Sequence, residues 1–201
     1  MAVALTGLVL GISGCVSDAS RRPDQRATAI TQHPTLALLD LDGHAFDLLN
    51  RRPASTTVVV FTRTDCPISN RFAPEIIRLH EKYHAQGVEF FLVYVDPDEQ
   101  PEAIRRHLRE YAYPCKGLRD PAHALVAHCQ ASATPEAAVF NRDGDMTYLG
   151  RINDLYVDLG RPRAKPTTYD LADAIESTVH GRPVATPRTR AIGCLIADVG
   201  R

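Results

Sequence analysis

The chain has no tryptophan and only 6% aromatic residues across its 201 positions, too few for the stacking platforms that bind single-stranded nucleic acid. Its charges nearly cancel, 23 Lys and Arg against 24 Asp and Glu, so no field of one sign is available to hold a phosphate backbone. Nucleic acid is therefore not an expected partner. Long apolar runs are also missing. The longest, MAVALTGLVLGIS over Met1 to Ser13, is too short to cross a bilayer. There is no Gly-rich phosphate loop, no Ser-His-Asp arrangement and no internal repeat, so no motif asks for a cofactor. What is present, 44% hydrophobic and 23% charged residues, is the composition of a folded domain large enough to bury a core without disulfides or metals.

The apolar start reads as the h-region of a secretory leader, although no lysine or arginine precedes it. Ile12-Ser13-Gly14-Cys15 then looks like a bacterial lipobox, where a peptidase cuts before a lipid-modified cysteine. The expectation is a lipoprotein leader over 1–14 and lipidation at Cys15, with a plain signal peptide as the alternative. The protein would then be exported and held on a membrane of the bacterial envelope. The polar stretch 15–33 reads as a tether.

Leu36 to Leu49 places two short apolar runs around Asp42-Gly43, a tight hairpin signal. TTVVVFT over Thr56 to Thr62 and VEFFLVYV over Val88 to Val95 are strands expected to be buried on both faces. Ala73 to Ala85 has helical periodicity ended by Gly87, and Pro101 to Tyr111 is a second helix with proline at its start. Leu118 falls in a short extended piece. Asp120-Pro121-Ala122 predicts a cap and first turn for a short helix running to about His128. Glu136 to Asn141 and Met146 to Arg151 form strands around a turn with Gly144, and Thr168 to Val179 is the last helix, ended near Gly181. The tail from Arg182 to Arg201 has little periodicity. Strands alternating with helices, then an antiparallel pair, predict an α/β domain: a central mixed β-sheet flanked by helices, with an N-terminal β-hairpin.

Cys66 stands where a buried strand gives way to a helix, so its thiol lies near the first turn, where free N–H groups favour a thiolate. Pro67 suits the first helical position, Arg63 and Arg71 can add positive potential, and Ser69 can offer a hydroxyl to the sulfur. The alternative is that Cys66 is a small buried hydrophobe. Chemistry at the carboxyl edge of an α/β sheet favours the reactive reading.

The hairpin LDLDGHAFDL, the turn VVVFTRTDCPISNRFAPEI, Thr134-Pro135-Glu136 and the hairpin AAVFNRDGDMTYLGRI together resemble the thioredoxin superfamily, and within it the redoxin (alkyl hydroperoxide reductase/thiol-specific antioxidant-like) domains. The resemblance runs from about Pro34 to Gly181 and implies a thioredoxin-like fold. It also implies that Pro135, after Thr134, is a cis-proline facing Cys66 and placing a substrate backbone. Two departures stand out. Ser69 occupies the place of the second cysteine of a Cys-x-x-Cys motif. The threonine that peroxidases carry three residues before the cysteine is Arg63 here, with Thr64 one place too late.

The resemblance implies a thiol-dependent oxidoreductase acting on a protein or small-molecule disulfide, or on a peroxide, with an outside thiol as reductant. A monothiol site needs a second sulfur to resolve its oxidised form. Cys194 in the tail, preceded by Gly193, is the first candidate. A Cys115–Cys129 bridge closing a short loop is the structural alternative, as is a Cys129 that is simply core. The rival function is a redoxin-fold binding protein, either a copper carrier or a module without turnover. Its metal ligands are not evident. His80 and His84, four apart on a helix beside Glu81 and Lys82, read as a solvated face. His123 and His128 lack partners in the sequence. Arg151, Asp154, Arg161 and Arg163 make a polar loop after the last strand, which reads as surface, with the mouth of a substrate site as the alternative.

Overall fold

The computed structural model describes residues 1–3, 36, 38–50 and 56–196. The chain divides into two compact units, Met1–Ile30 and Thr31–Arg201, and the description below concerns the second. Cys15 and the tether segment 16–33 lie outside the described residues.

The elements are β1 (Leu38–Leu39), β2 (Ala45–Phe46), β3 (Thr56–Thr62), α1 (Pro67–Arg71), α2 (Ala73–Tyr83), a 3₁₀ turn at His84–Gln86 and β4 (Val88–Tyr94). They continue with α3 (Pro101–Glu110), β5 (Lys116–Arg119), α4 (Ala124–Cys129), β6 (Ala133–Thr134), β7 (Glu136–Phe140) and β8 (Met146–Gly150). Last come β9 (Tyr156–Asp158), β10 (Arg161–Pro162), α5 (Asp170–Val179) and β11 (Cys194–Leu195). One mixed sheet of order β2-β1-β5-β4-β3-β7-β8 organises the domain. β3, β4 and β5 run parallel, and β7 returns antiparallel to β3. This is the thioredoxin-like arrangement that the motifs imply.

β3 lies at the centre and all seven of its residues are buried, which is why its sequence shows no polar alternation. Its side chains divide by the period of two. Val58 and Val60 join Ile76, Leu79, Ile104, Leu171 and Ile175 in one core. Val59 and Phe61 join Leu38, Leu48, Leu125 and Val126 in the other. Cys115 belongs to the first core and Cys129 to the second. The sheet separates them, both are free thiols, and burial pushes each thiol up to about 12. The Cys115–Cys129 staple is therefore corrected to two core cysteines.

One short helix is added to the periodicity reading, and two helices start later than it predicts. The segment after Cys66 forms its own short helix, α1, and α2 begins anew after Phe72, because Pro74 has no N–H to continue the ladder. α4 begins at Ala124, not at Pro121, with His123 left-handed at φ 53°. Asp120 nonetheless caps it, accepting the N–H groups of Ala124, Leu125 and Val126 at 2.7, 2.9 and 2.9 Å. Asp120 is fully buried, so Asp120→Ala strands these donors and is expected to cost about 2–3 kcal/mol. The check is a lower urea midpoint at unchanged denaturant slope. α5 begins at Asp170 because the N–H groups of Thr167 and Thr168 turn to the Asp154 carboxylate, at 2.6 and 3.0 Å. Asp154 and Arg163, which is bonded to it at 3.2 Å, thus knit the polar loop that reads as surface in the sequence. Among the described residues no helix is long and apolar enough to cross a membrane.

Candidate active site

At the carboxyl end of β3, the turn Arg63–Asp65 delivers Cys66 as the N-cap of α1, with Pro67 in the first turn. The turn is clamped on both sides of Thr64. Its N–H donates to Glu99 Oε1 at 2.8 Å, and its carbonyl accepts from Asn70 Nδ2 at 2.9 Å. Asn70 presents its Oδ1 to His107 Nε2 at 2.8 Å, and the other ring nitrogen meets the Tyr94 hydroxyl at 2.9 Å. An amide oxygen only accepts, so Nε2 carries the proton and Nδ1 accepts from Tyr94. Burial lowers the His107 pKa, which keeps this chain from strand to helix to turn neutral.

Cys66 is 1% exposed. Its thiol donates to the Thr134 carbonyl at 3.2 Å and accepts from the Ser69 N–H at 3.5 Å. The Ser69 hydroxyl is buried and makes no directed hydrogen bond, yet it lies near enough to the sulfur to help hold a thiolate. Burial pushes the Cys66 thiol up, but hydrogen bonds from Cys194, Ser69 and Thr134 outweigh it, and the net shift is downward. With only five residues in α1, these bonds replace the helix dipole as the cause of the lowered pKa. Arg71 is exposed and is not among the groups acting on the sulfur. Arg63 pairs with Asp65 at 3.0 Å and Asp96 at 3.1 Å, and its charge acts on Cys194 instead.

The Thr134-Pro135 peptide is cis, as the resemblance implies, and Thr134 is the residue that receives both cysteines. β11 lies antiparallel to β6 with Cys194 opposite Thr134 and Leu195 opposite Ala133, and Ile196 N–H bonds the Ser132 carbonyl at 3.0 Å. The edge expected to receive a substrate backbone therefore carries the chain's own tail. Gly193 is required for this approach. A Cβ there would stand 2.0 Å from the Thr134 carbonyl oxygen. Cys194 is partly exposed, and burial together with the neighbouring Cys66 pushes its thiol up to about 12.

The tail reaches this edge along a fixed path. Pro187 and Thr189 bond the backbone of Leu149, at 2.9 and 3.1 Å. The Thr189 hydroxyl meets Tyr148 at 2.7 Å and the Arg151 N–H at 3.0 Å. Arg188 bonds Gln130 Oε1 at 2.9 Å. Glu136 accepts the Ser132 and Ala133 N–H groups, at 2.7 and 3.3 Å, and so holds β6 in place. Sequence reasoning missed Arg188, Thr189, Glu136, Glu99, Asn70 and His107 as parts of this site. Glu136 and Asn70 lie inside the motifs quoted above, which do not show these roles, and Arg188, Thr189, Glu99 and His107 bond residues far along the chain.

His80 and His84 stack on each other with centroids 5.3 Å apart, and His80 also packs against Phe90. His123 bonds the Val95 carbonyl at 2.7 Å. Among the described residues only Asp40, Asp42 and His44 bring three ligand atoms together, on the exposed β1–β2 turn. Asp40 there already accepts the N–H groups of Asp42 and His44.

The redoxin family profile matches residues 22–155. The chain belongs to the redoxin family. Among solved structures, this redoxin is similar to an uncharacterized conserved protein from Geobacillus kaustophilus, 27% identical at a TM-score of 0.70, over 84% of this chain and 90% of that one. A secreted disulfide oxidoreductase from Mycobacterium tuberculosis, homologous to Escherichia coli DsbE, is 18% identical at 0.51, over 73% and 96%. A thiol:disulfide interchange protein from a Bacteroides species is 16% identical at 0.54, over 74% and 88%. The last two share the thioredoxin-like fold. A comparison with curated proteins returns no match.

Proposed function

We propose that this redoxin is a thiol–disulfide oxidoreductase of the bacterial cell envelope, with Cys66 and Cys194 as its redox pair. The observation that supports it is the meeting of both cysteines at one residue. Cys66 Sγ bonds the Thr134 carbonyl and Cys194 pairs with Thr134 in register. The Cys66 thiolate attacks one sulfur of a disulfide, forming a mixed disulfide and expelling the other sulfur as a thiolate. Cys194 then attacks the Cys66 sulfur, passing its proton to the expelled thiolate, and closes the Cys66–Cys194 bond as the second sulfur leaves as a thiolate. An outside dithiol returns the pair to the reduced state. Thr134, Pro135, Pro67 and Ser69 position the sulfurs, and Thr64 carries the clamped turn. Hydrogen bonds that favour the Cys66 thiolate stabilise the reduced pair and make its disulfide oxidising.

A hydroperoxide is the second oxidant this site can take, favoured by the burial of Cys66, since a small electrophile reaches a buried sulfur more readily than a bulky disulfide does. Cys66 would then become sulfenic acid with release of water or an alcohol, and Cys194 would displace the sulfenic oxygen as water. The export leader, the 15–33 tether and an anchor on Cys15 complete the proposal. Fatty-acid labelling of the expressed protein, abolished in Cys15→Ser, tests the anchor.

Stopped-flow oxidation of the full-length protein by oxidised glutathione and by hydrogen peroxide tests the chemistry. Cys66→Ser is expected to slow thiol loss about 100-fold or more, because Cys115, Cys129 and Cys194 have raised pKa values and Cys15 carries the proposed anchor. Equal rates in wild type and variant would remove the enzyme reading.

A further inference from the structure

We infer that the oxidised pair exchanges with its thiol partner at Cys194, the partner's thiolate attacking the Cys194 sulfur and releasing Cys66. The inference rests on the redox pair proposed above and names the atom through which that pair meets its partner. Cys66 still attacks the oxidising disulfide or peroxide as proposed above; the inference concerns the separate reductant thiol, which attacks the other sulfur.

Access favours Cys194. Thiol–disulfide exchange needs the incoming sulfur to approach from behind the one it attacks. Cys66 is 1% exposed and sits in the core with Ile68, Phe72 and Ile76. Cys194 is partly exposed on the outer strand of the two-stranded β11–β6 sheet. Its neighbour Leu195 is 77% exposed. β11 pairs only with β6 among the described residues, so its far edge is open to an extended segment carrying a thiol.

The leaving group favours the same direction. Attack on Cys194 expels Cys66 into a place prepared for a thiolate, where the Ser69 N–H stands at 3.5 Å. The buried Ser69 hydroxyl, which makes no other hydrogen bond, is free to turn to it. Attack on Cys66 would instead expel Cys194, where burial disfavours a negative charge and the nearby Arg63, which eases it, is already paired with Asp65 and Asp96. A sulfur of lower pKa leaves faster.

The exchange balances. The partner's first thiolate forms a bond to Cys194 as the Cys66–Cys194 bond breaks, and Cys66 takes the electron pair. The partner's second thiolate then attacks its own bonded sulfur. Cys194 leaves and takes up a proton, and the partner departs as a disulfide. Two electrons have passed from partner to protein.

The two sulfurs fall in separate tryptic peptides, 64–71 and 191–201. Full-length protein is oxidised, shown by non-reducing peptide mapping to carry 64–71 linked to 191–201, and mixed briefly with reduced glutathione. It is then quenched in acid, alkylated and mapped. Glutathione is expected on 191–201 and the alkyl group on 64–71, in about tenfold or greater excess over the opposite labelling. Glutathione mainly on 64–71, or shared equally, overturns the inference while leaving the redox pair intact. Absence of the linked peptide before glutathione is added overturns the redox pair and the inference with it.

Discussion

Gly193→Ala is expected to lower the rate of Cys66–Cys194 disulfide formation about 100-fold while leaving the sheet and helices folded. The added Cβ would fall 2.0 Å from the Thr134 carbonyl oxygen and 2.6 Å from its carbonyl carbon. Both are backbone atoms of a strand that Glu136 holds in place, so the tail must lift instead. Lifting it breaks the β11–β6 pairing that sets Cys194 opposite Thr134. An intramolecular reaction depends steeply on such placement, which is why an ångström of displacement matters more here than the lost strand pairing itself. The measurement is quenched-flow alkylation after a pulse of oxidised glutathione, beside a circular dichroism spectrum that should match wild type. A variant that forms the disulfide at the wild-type rate would show that the tail does not deliver Cys194 to Cys66.

Cys194→Ala is expected to have two separable effects. Oxidised glutathione should leave Cys66 as a stable mixed disulfide, with turnover under an added dithiol falling about 100-fold. The midpoint of Cys66 alkylation against pH should also rise. Cys194 is the largest contributor among the hydrogen bonds that lower the Cys66 pKa, burial being the opposing cause. Without it, burial regains weight and the thiolate persists over a narrower alkaline range, toward or above the ordinary value of 9.0. Rates of iodoacetamide alkylation between pH 6 and 10 read the shift. An unchanged midpoint would show that the two thiols do not interact in the reduced protein.

The sheet was legible because β3 and β4 are long, β-branched and buried on both faces, and because glycine marks the hairpin turns at Gly43 and Gly144. Cys66 was legible for a related reason. A strand followed at once by Asp-Cys-Pro places a sulfur at the carboxyl edge of a sheet whatever the rest of the chain does. Helix starts were less visible, since periodicity says nothing of a carboxylate such as Asp154 that draws the N–H groups of Thr167 and Thr168 away from α5. The tail was least legible. Gly193 before Cys194 hinted at a close backbone approach, but the residues that route the tail, Arg188 and Thr189, bond to Gln130, Leu149, Tyr148 and Arg151. No local pattern records such partners. Cys115 and Cys129 looked like a short-loop pair because the sequence cannot show that a sheet lies between them.

The most direct test of the paired site is a non-reducing tryptic map of the full-length protein after oxidation by a small stoichiometric excess of oxidised glutathione. Peptide 64–71 should appear linked to peptide 191–201, with Cys115 and Cys129 recovered as free thiols. A Cys115–Cys129 link, or Cys66 recovered only as its glutathione adduct beside a free Cys194, would contradict the assignment of Cys66 and Cys194 as partners.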